Sequence, residues 1–288
     1  MGAVELSDGG RIAFEDTGTG RPVVLVHGWA THGGFFEPQR TGLAHCCRVI
    51  TLDLRGHGES DAPADAASIL QLARDVGELF EKLDLTDVLA VGWSMGAMVL
   101  WEALDQHIGD RVAGLVVEDM SPRIVNDAHW RLGLSDGHHA AQLPAVLESM
   151  TRDWRSHCAQ FVPRLFARGL DDERRDLMRW TLAQVTENDP HTMARLWRSM
   201  ADQDFRPVLG RIKAPTLVLH GRLSQLYSEE TSAAIVAAMP NAARLGLDRS
   251  GHAPHLEEPD EFNRILEAFS EQLGGRTAAQ LIPSVCVS

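Results

Sequence analysis

Five residues, Gly92-Trp93-Ser94-Met95-Gly96, constrain this chain more than any other segment. Before them, Asp87-Val88-Leu89-Ala90-Val91 is short and rich in branched side chains, the pattern of a buried parallel strand. After them, the run 97–104 holds neither Gly nor Pro and reads as a helix. A Gly-x-Ser-x-Gly at a strand-to-helix turn is the pattern of a nucleophile elbow. Such a turn strains the serine backbone, and the flanking glycines leave room for strand and helix to approach. The helix N-terminus then directs its dipole and free N–H groups at the serine.

Strand-like runs recur at 11–15, 22–26, 48–52, 112–117, 214–221 and 244–247, with helical stretches near 66–83, 229–239 and 259–273. Alternation of this kind predicts an α/β fold with a mostly parallel central sheet, helices on both faces, and function carried at the carboxyl ends of the strands. From about 121 to 210 the strand signals vanish. That stretch holds four of the seven tryptophans, and its twelve arginines balance twelve acids, so the rest of the chain carries the whole net charge of −13. It is expected to be an inserted helical cap over 121–210, on a core made of 1–120 and 211–273. The last fifteen residues, 274–288, show no clear period and are expected to be a flexible tail.

Bulk properties exclude several classes. A net charge of −13 argues against a nucleic-acid partner, which needs a basic face. The four cysteines, Cys46, Cys47, Cys158 and Cys286, have neither metal-ligand spacing nor the look of a disulfide framework, so no metal is expected and a reducing compartment fits. The N-terminus lacks the basic start and apolar core of a signal peptide, and no apolar run approaches a membrane span of about 20 residues. The expectation is a soluble cytoplasmic protein with no membrane partner.

A serine hydroxyl needs a base within hydrogen-bond reach and an acid to orient that base. Ser94 is the candidate nucleophile. Of thirteen histidines, His252 is the candidate base, because it follows the last strand in Ser250-Gly251-His252-Ala253-Pro254-His255, with His255 expected to pack beneath that loop. The usual place for the acid, three residues beyond Gly221, holds Ser224, which cannot balance an imidazolium. Glu229 and Glu230 lie well into the next helix. The strand after the elbow helix ends in Glu118-Asp119, and strand alternation sends one of the two into the cleft. Asp119 is the candidate acid and Glu118 the alternative; substitution of Ser224 is expected to matter little. The backbone N–H groups of Met95 and Trp29 are the candidate oxyanion donors, and the Trp29 side chain is a candidate wall of the substrate pocket.

Together His27-Gly28-Trp29, Asp53-Leu54-Arg55-Gly56-His57-Gly58-Glu59-Ser60, Gly92-Trp93-Ser94-Met95-Gly96 and Gly251-His252-Ala253-Pro254-His255 resemble the α/β-hydrolase superfamily in order and spacing. Within it the chain looks most like the capped serine carboxylesterases, including the pimeloyl-acyl-carrier-protein methyl ester esterases. The resemblance implies hydrolysis of a small-molecule ester through an acyl-enzyme, without a cofactor. Ser224 departs from those esterases, which carry the triad aspartate there. Several haloalkane dehalogenases place the acid after the earlier strand, which supports Asp119, although Ser94 excludes their aspartate-nucleophile chemistry. Arg152, Arg155, Arg164 and Arg168 form either a strip for an acidic acyl-carrier protein or surface ion pairs with nearby acids. A lactonase or carbon–carbon bond hydrolase with the same triad, and a ligand-binding receptor with little turnover, are the alternatives.

Overall fold

The apolar runs become the strands of one eight-stranded sheet. In the computed structural model, which describes residues 1–61, 66–169 and 172–273, these are β1 (Gly2–Glu5), β2 (Arg11–Thr17), β3 (Arg21–Val26), β4 (Cys47–Leu52), β5 (Val88–Trp93), β6 (Val112–Glu118), β7 (Thr216–Gly221) and β8 (Ala242–Leu247). Their order is β1-β2-β4-β3-β5-β6-β7-β8. The β1–β2 and β2–β4 pairs are antiparallel and the remaining pairs are parallel. Every residue of β5 and β7 is buried, as strands covered on both faces require. The sheet is the mostly parallel one expected, with two differences at its amino-terminal edge. β1 is short and half exposed, too weak a pattern to read from the sequence. β2 continues through Asp16 and Thr17, which had the look of a turn, because both pair with β4.

The helices around the sheet are α1 (Glu37–Leu43), α2 (Ile69–Lys82), α3 (Met95–Ala103), α9 (Glu229–Ala238), α10 (Pro254–Glu257) and α11 (Pro259–Gln272). In α2, Ser68 caps the Gln71 N–H, while Ile69, Leu72, Ala73, Val76, Leu79 and Phe80 recur at three- and four-residue spacing on the buried face. Between β6 and β7 the described residues form helices α4 (Leu143–Arg152), α5 (Trp154–Phe161), α6 (Asp172–Thr186), α7 (Pro190–Ala201) and α8 (Arg206–Leu209). Among them the only β pairing is a single bridge, Asn126 to His139. In α7, Asp189 caps Thr192 and Pro190 sits in the first turn, where its missing N–H costs nothing. Its inner face is Met193, Leu196, Trp197 and Met200. The tail expected at 274–288, with Cys286, lies outside the described residues. No helix among the described residues is long and apolar enough to cross a membrane.

Candidate active site

The loops after β3, β5, β6, β7 and β8 converge at the carboxyl edge of the sheet. At the end of β5, Ser94 takes φ 52° and ψ −122°, a region that L side chains rarely adopt and that costs on the order of 1–3 kcal/mol. Its surroundings hold it there: the Ser94 N–H donates to the Glu118 carbonyl at 3.0 Å and its carbonyl accepts from Ala97 at 2.9 Å. The tight turn has no room for larger neighbours. A Cβ on Gly92 would sit 2.7 Å from the Ala97 backbone, and one on Gly96 only 2.1 Å from the Val26 carbonyl oxygen. Met95 opens α3, so its amide precedes any helical acceptor.

Asp119 leaves β6 with φ 42°, its own N–H bonded to the Leu219 carbonyl at 2.8 Å. Its Oδ2 lies 2.7 Å from His252 Nδ1, and both side chains are nearly sealed from solvent. Glu118, one residue earlier, points elsewhere. Its Oε1 accepts the His255 backbone N–H at 3.0 Å and lies 2.8 Å from His255 Nδ1. Alternation therefore gives each of the two adjacent acids its own imidazole. Facing a carboxylate, His252 Nδ1 carries the proton and Nε2 is left as an acceptor. Ser94 and His252 line one cavity. In this state the Ser94 hydroxyl faces Met120 Sδ at 4.0 Å rather than the imidazole, and such contacts tighten when substrate arrives.

Ser224 is not the bystander expected from the sequence. Its hydroxyl donates to Asp119 Oδ2 at 2.6 Å and accepts the backbone N–H groups of Leu226 and Tyr227, each at 3.3 Å. The oxygen that faces His252 is thus fixed by a second donor from the β7 loop. A hydrogen bond to a charged group is worth about 1.5–3 kcal/mol, so Ser224→Ala is expected to lower kcat about tenfold while leaving the protein folded. Steady-state kinetics beside a thermal melt check this; an unchanged kcat contradicts it.

The His252 loop is pinned from four sides. Trp93 Nε1 donates to the His252 carbonyl at 2.7 Å, so the residue beside Ser94 also anchors the candidate base. The His252 N–H donates to the Leu165 carbonyl at 2.9 Å. Glu257 accepts Gly251 N–H at 2.6 Å and Ala167 N–H at 2.8 Å, while Glu258 accepts from the Ser250 hydroxyl and from Arg249 N–H. Glu257 and Glu258 escaped the sequence reading; the available signal was two adjacent acids immediately after the histidine loop.

His27 positions the other side of the cleft. Its Nε2 accepts the Leu54 N–H at 2.9 Å, so Nδ1 carries the proton and donates to the Gly28 carbonyl at 2.8 Å, which also accepts the Thr31 hydroxyl at 2.9 Å. In a trans peptide the carbonyl and the following N–H point in opposite directions. Holding the Gly28 carbonyl toward His27 turns the Trp29 N–H away from it. Gly28 itself abuts Ser94: a Cβ there would lie 3.3 Å from Ser94 Cβ. His57 braces the same loop by accepting the Ala30 N–H at 3.2 Å. Behind it the fully buried Arg55 pairs with Asp75 at 2.8 Å and Asp8 at 2.7 Å.

Burial, partly offset by the hydrogen bond to Gly28, holds His27 down at about 3; burial and then the neighbouring His27 hold His57 at about 3. Both stay neutral in the native state, whereas in the unfolded chain they take up protons below about pH 6.5. The unfolded state therefore binds more protons between about pH 6.5 and 3. Acidification costs up to about 1.4 kcal/mol per pH unit for each histidine. The melting temperature is expected to fall from about pH 7 to pH 5. A constant melting temperature in calorimetry contradicts this.

Above Ser94 the cavity is walled by Trp29, Phe161, Leu165, Trp197, Leu226 and Tyr227, among others. Trp29 does more than line it: its Nε1 donates to the Met193 carbonyl at 2.9 Å, and its ring meets Trp154, Phe161 and Trp197 edge-on. One side chain thereby ties the loop after β3 to helices α5 and α7. Of the four arginines noted above, Arg152 pairs with Glu148, Arg164 with Asp136, and Arg168 donates to Gln225. Among the described residues one trio, His45, Cys46 and Glu267, brings metal-ligating atoms within 4.8 Å of one another, at the start of β4 and on α11. Burial, with help from Cys47 and Glu267, pushes the Cys46 thiol up to about 12, which opposes thiolate ligation.

Residues 21–259 match the alpha/beta hydrolase fold family, and the chain belongs to it. The pimeloyl-acyl-carrier-protein methyl ester esterase of Vibrio vulnificus is 29% identical over 259 residues, covering 89% of this chain and 97% of that protein. Among solved structures, an esterase from Exiguobacterium antarcticum is similar with a TM-score of 0.87 and 27% identity, over 94% of this chain and 99% of the other. An N-acyl homoserine lactone degrading enzyme is similar with a TM-score of 0.79 and 26% identity, over 93% and 100% of the two chains.

Proposed function

We infer that the chain is a carboxylic ester hydrolase in which Ser94 is the nucleophile, His252 the base and Asp119 the orienting acid. The observation that carries this reading is the buried Asp119–His252 pair at 2.7 Å, opening on the cavity that Ser94 also lines. His252 Nε2 takes the Ser94 proton as Oγ adds to the ester carbonyl. The oxyanion lies between the Met95 and Trp29 amides, a donor pair in which each member is worth roughly 2.7–4 kcal/mol. Collapse breaks the bond to the alcohol oxygen, and His252 returns the proton to that leaving group. Water, deprotonated by His252, then cleaves the acyl-enzyme and regenerates Ser94. No cofactor takes part in this scheme.

The helices between β6 and β7 act in this reading as a cap over 121–210 that excludes water from the acyl-enzyme. The named relatives favour a methyl ester of an acyl chain, with an acyl-carrier protein as the conveying partner. Because Arg152, Arg164 and Arg168 are already engaged with neighbouring side chains, that partner rests on the relatives rather than on a free basic strip. A lactonase is the second reading, favoured by the likeness to a lactone-degrading enzyme; it needs the same attack on a cyclic ester. The free cysteines Cys46, Cys47 and Cys158 fit a cytoplasmic setting. A panel of methyl esters, p-nitrophenyl esters of graded chain length, acyl homoserine lactones and a methyl-ester acyl carrier tests all of this. Fastest turnover of methyl esters supports the first reading, faster lactone opening the second. Tight binding without turnover would make the protein a receptor.

A further inference from the structure

Helix α6 is fastened at both ends to the loops that carry the candidate site. Near its start, the Arg174 guanidinium pairs with the fully buried Glu257 carboxylate at 3.1 Å and donates to the Arg249 carbonyl. The same carboxylate accepts the Gly251 N–H through Oε2 at 2.6 Å and the Ala167 N–H through Oε1 at 2.8 Å. The next N–H along, that of His252, donates to the Leu165 carbonyl at 2.9 Å. Two consecutive amides of the His252 loop thus rest on Glu257 and on the segment 165–167, and Arg174 supplies the counter-charge that a buried carboxylate needs. Contact between the two segments is tight: a Cβ on Gly251 would lie 2.4 Å from the Phe166 backbone. Towards the other end, His32 Nδ1 accepts the Gly34 N–H, so Nε2 carries the proton and donates to Gln184 Oε1 at 3.0 Å. Just past the helix, Asn188 Nδ2 donates at 2.8 Å to the carbonyl of Ala30, which follows Trp29 and takes φ 61°. Midway along, the Trp180 ring lies 4.6 Å from that of Phe35. At 15 residues α6 is about 22 Å long, enough to bridge the two loops.

We propose that α6 is a strut that holds the base loop and the oxyanion loop in register, with Arg174, Glu257 and Asn188 as positioning residues. The proposal rests on the esterase reading and deepens it. Each of the three acts through another group. Arg174 and Glu257 act through the backbone that carries His252, and Asn188 acts through the carbonyl one peptide beyond the Trp29 amide. The transition state needs the imidazole and the oxyanion donors in place together, and a misplacement of about 1 Å can cost up to about a hundredfold in rate. The cap then does more than exclude water: its seating on the core sets kcat. Release of either end of α6 slows the chemical step more than it weakens substrate binding.

Four variants test this through p-nitrophenyl butyrate kinetics per folded protein and the proton NMR signal of His252 Nδ1–H, assigned by its loss in His252→Ala. That proton lies in a 2.7 Å bond nearly sealed from solvent, so it exchanges slowly and stands far downfield. Arg174→Met and Glu257→Gln are expected to lower kcat about tenfold, with a much smaller change in KM, and to broaden the signal by solvent exchange. Arg174→Lys keeps the charge beside Glu257 and is expected to recover most of the kcat and the signal. Asn188→Ala loosens the other end, so kcat is expected to fall severalfold while the His252 signal stays sharp. A helix that only walls the pocket would raise KM and leave kcat alone; that result in Arg174→Met and Asn188→Ala overturns the strut. Wild-type kinetics in both variants overturn it equally. If folded wild-type protein cleaves no ester, the esterase reading fails by itself. The His252 signal then decides the strut, broadened in Arg174→Met if it holds and unchanged if it does not.

Discussion

Ser94→Ala is expected to lower kcat for ester hydrolysis by about a million-fold while leaving the fold intact. The size follows from what is lost: without Oγ there is no acyl-enzyme, and His252, oriented by Asp119, has no serine proton to take. The residual rate comes from the oxyanion donors and from binding alone. The fold survives because the side chain contributes little to packing; its hydroxyl meets only the Met120 sulfur, at 4.0 Å. Stopped assays with p-nitrophenyl butyrate and a thermal melt of the variant read the two halves separately. A variant that keeps more than about a hundredth of wild-type kcat would show that another group attacks the ester.

Asp119→Asn carries the second largest effect, a loss of about ten-thousandfold in kcat. The asparagine fits the same space, but its amide donates where the carboxylate accepts. His252 Nδ1 then becomes the acceptor, Nε2 carries the proton, and the ring can no longer take one from Ser94. Glu118→Gln makes the same chemical change one residue away, yet its imidazole partner is His255, which does not line the Ser94 cavity. That variant is expected to lose stability, since both members of its pair are fully buried, with a far smaller change in the kcat of the folded fraction. Kinetics normalised to folded protein decide between them. If Glu118→Gln were the slower enzyme, the roles of the two acids would have to be exchanged.

Much of this was legible because the chemistry demands local patterns. The elbow needs Gly92 and Gly96 for steric reasons that any chain must obey, and each central strand announces itself as a branched run ending at a loop. For the cleft acid the sequence narrowed the choice to Glu118 and Asp119, with Asp119 preferred, because alternation says that the two diverge without fixing which one meets His252. Two features were hidden for one physical reason, long-range hydrogen bonding by ordinary polar side chains. Ser224 reaches Asp119 across 105 positions of sequence, and a serine in a loop carries no mark of such a role. His27 stood out only as part of the His27-Gly28-Trp29 motif, and its buried bonds to Leu54 and Gly28 show that it fixes the Gly28 carbonyl. β1 was missed because four half-exposed residues give too short a period to register.

The central claim is that one serine is made nucleophilic by its place at the elbow and by the imidazole beside it. Intact-mass and peptide analysis after brief exposure to a fluorophosphonate tests it without choosing a substrate. The expected result is a single adduct on the peptide holding Ser94, absent from Ser94→Ala and strongly slowed in Asp119→Asn. Folded wild-type protein that stays unlabelled, or that is labelled at another residue, would contradict it.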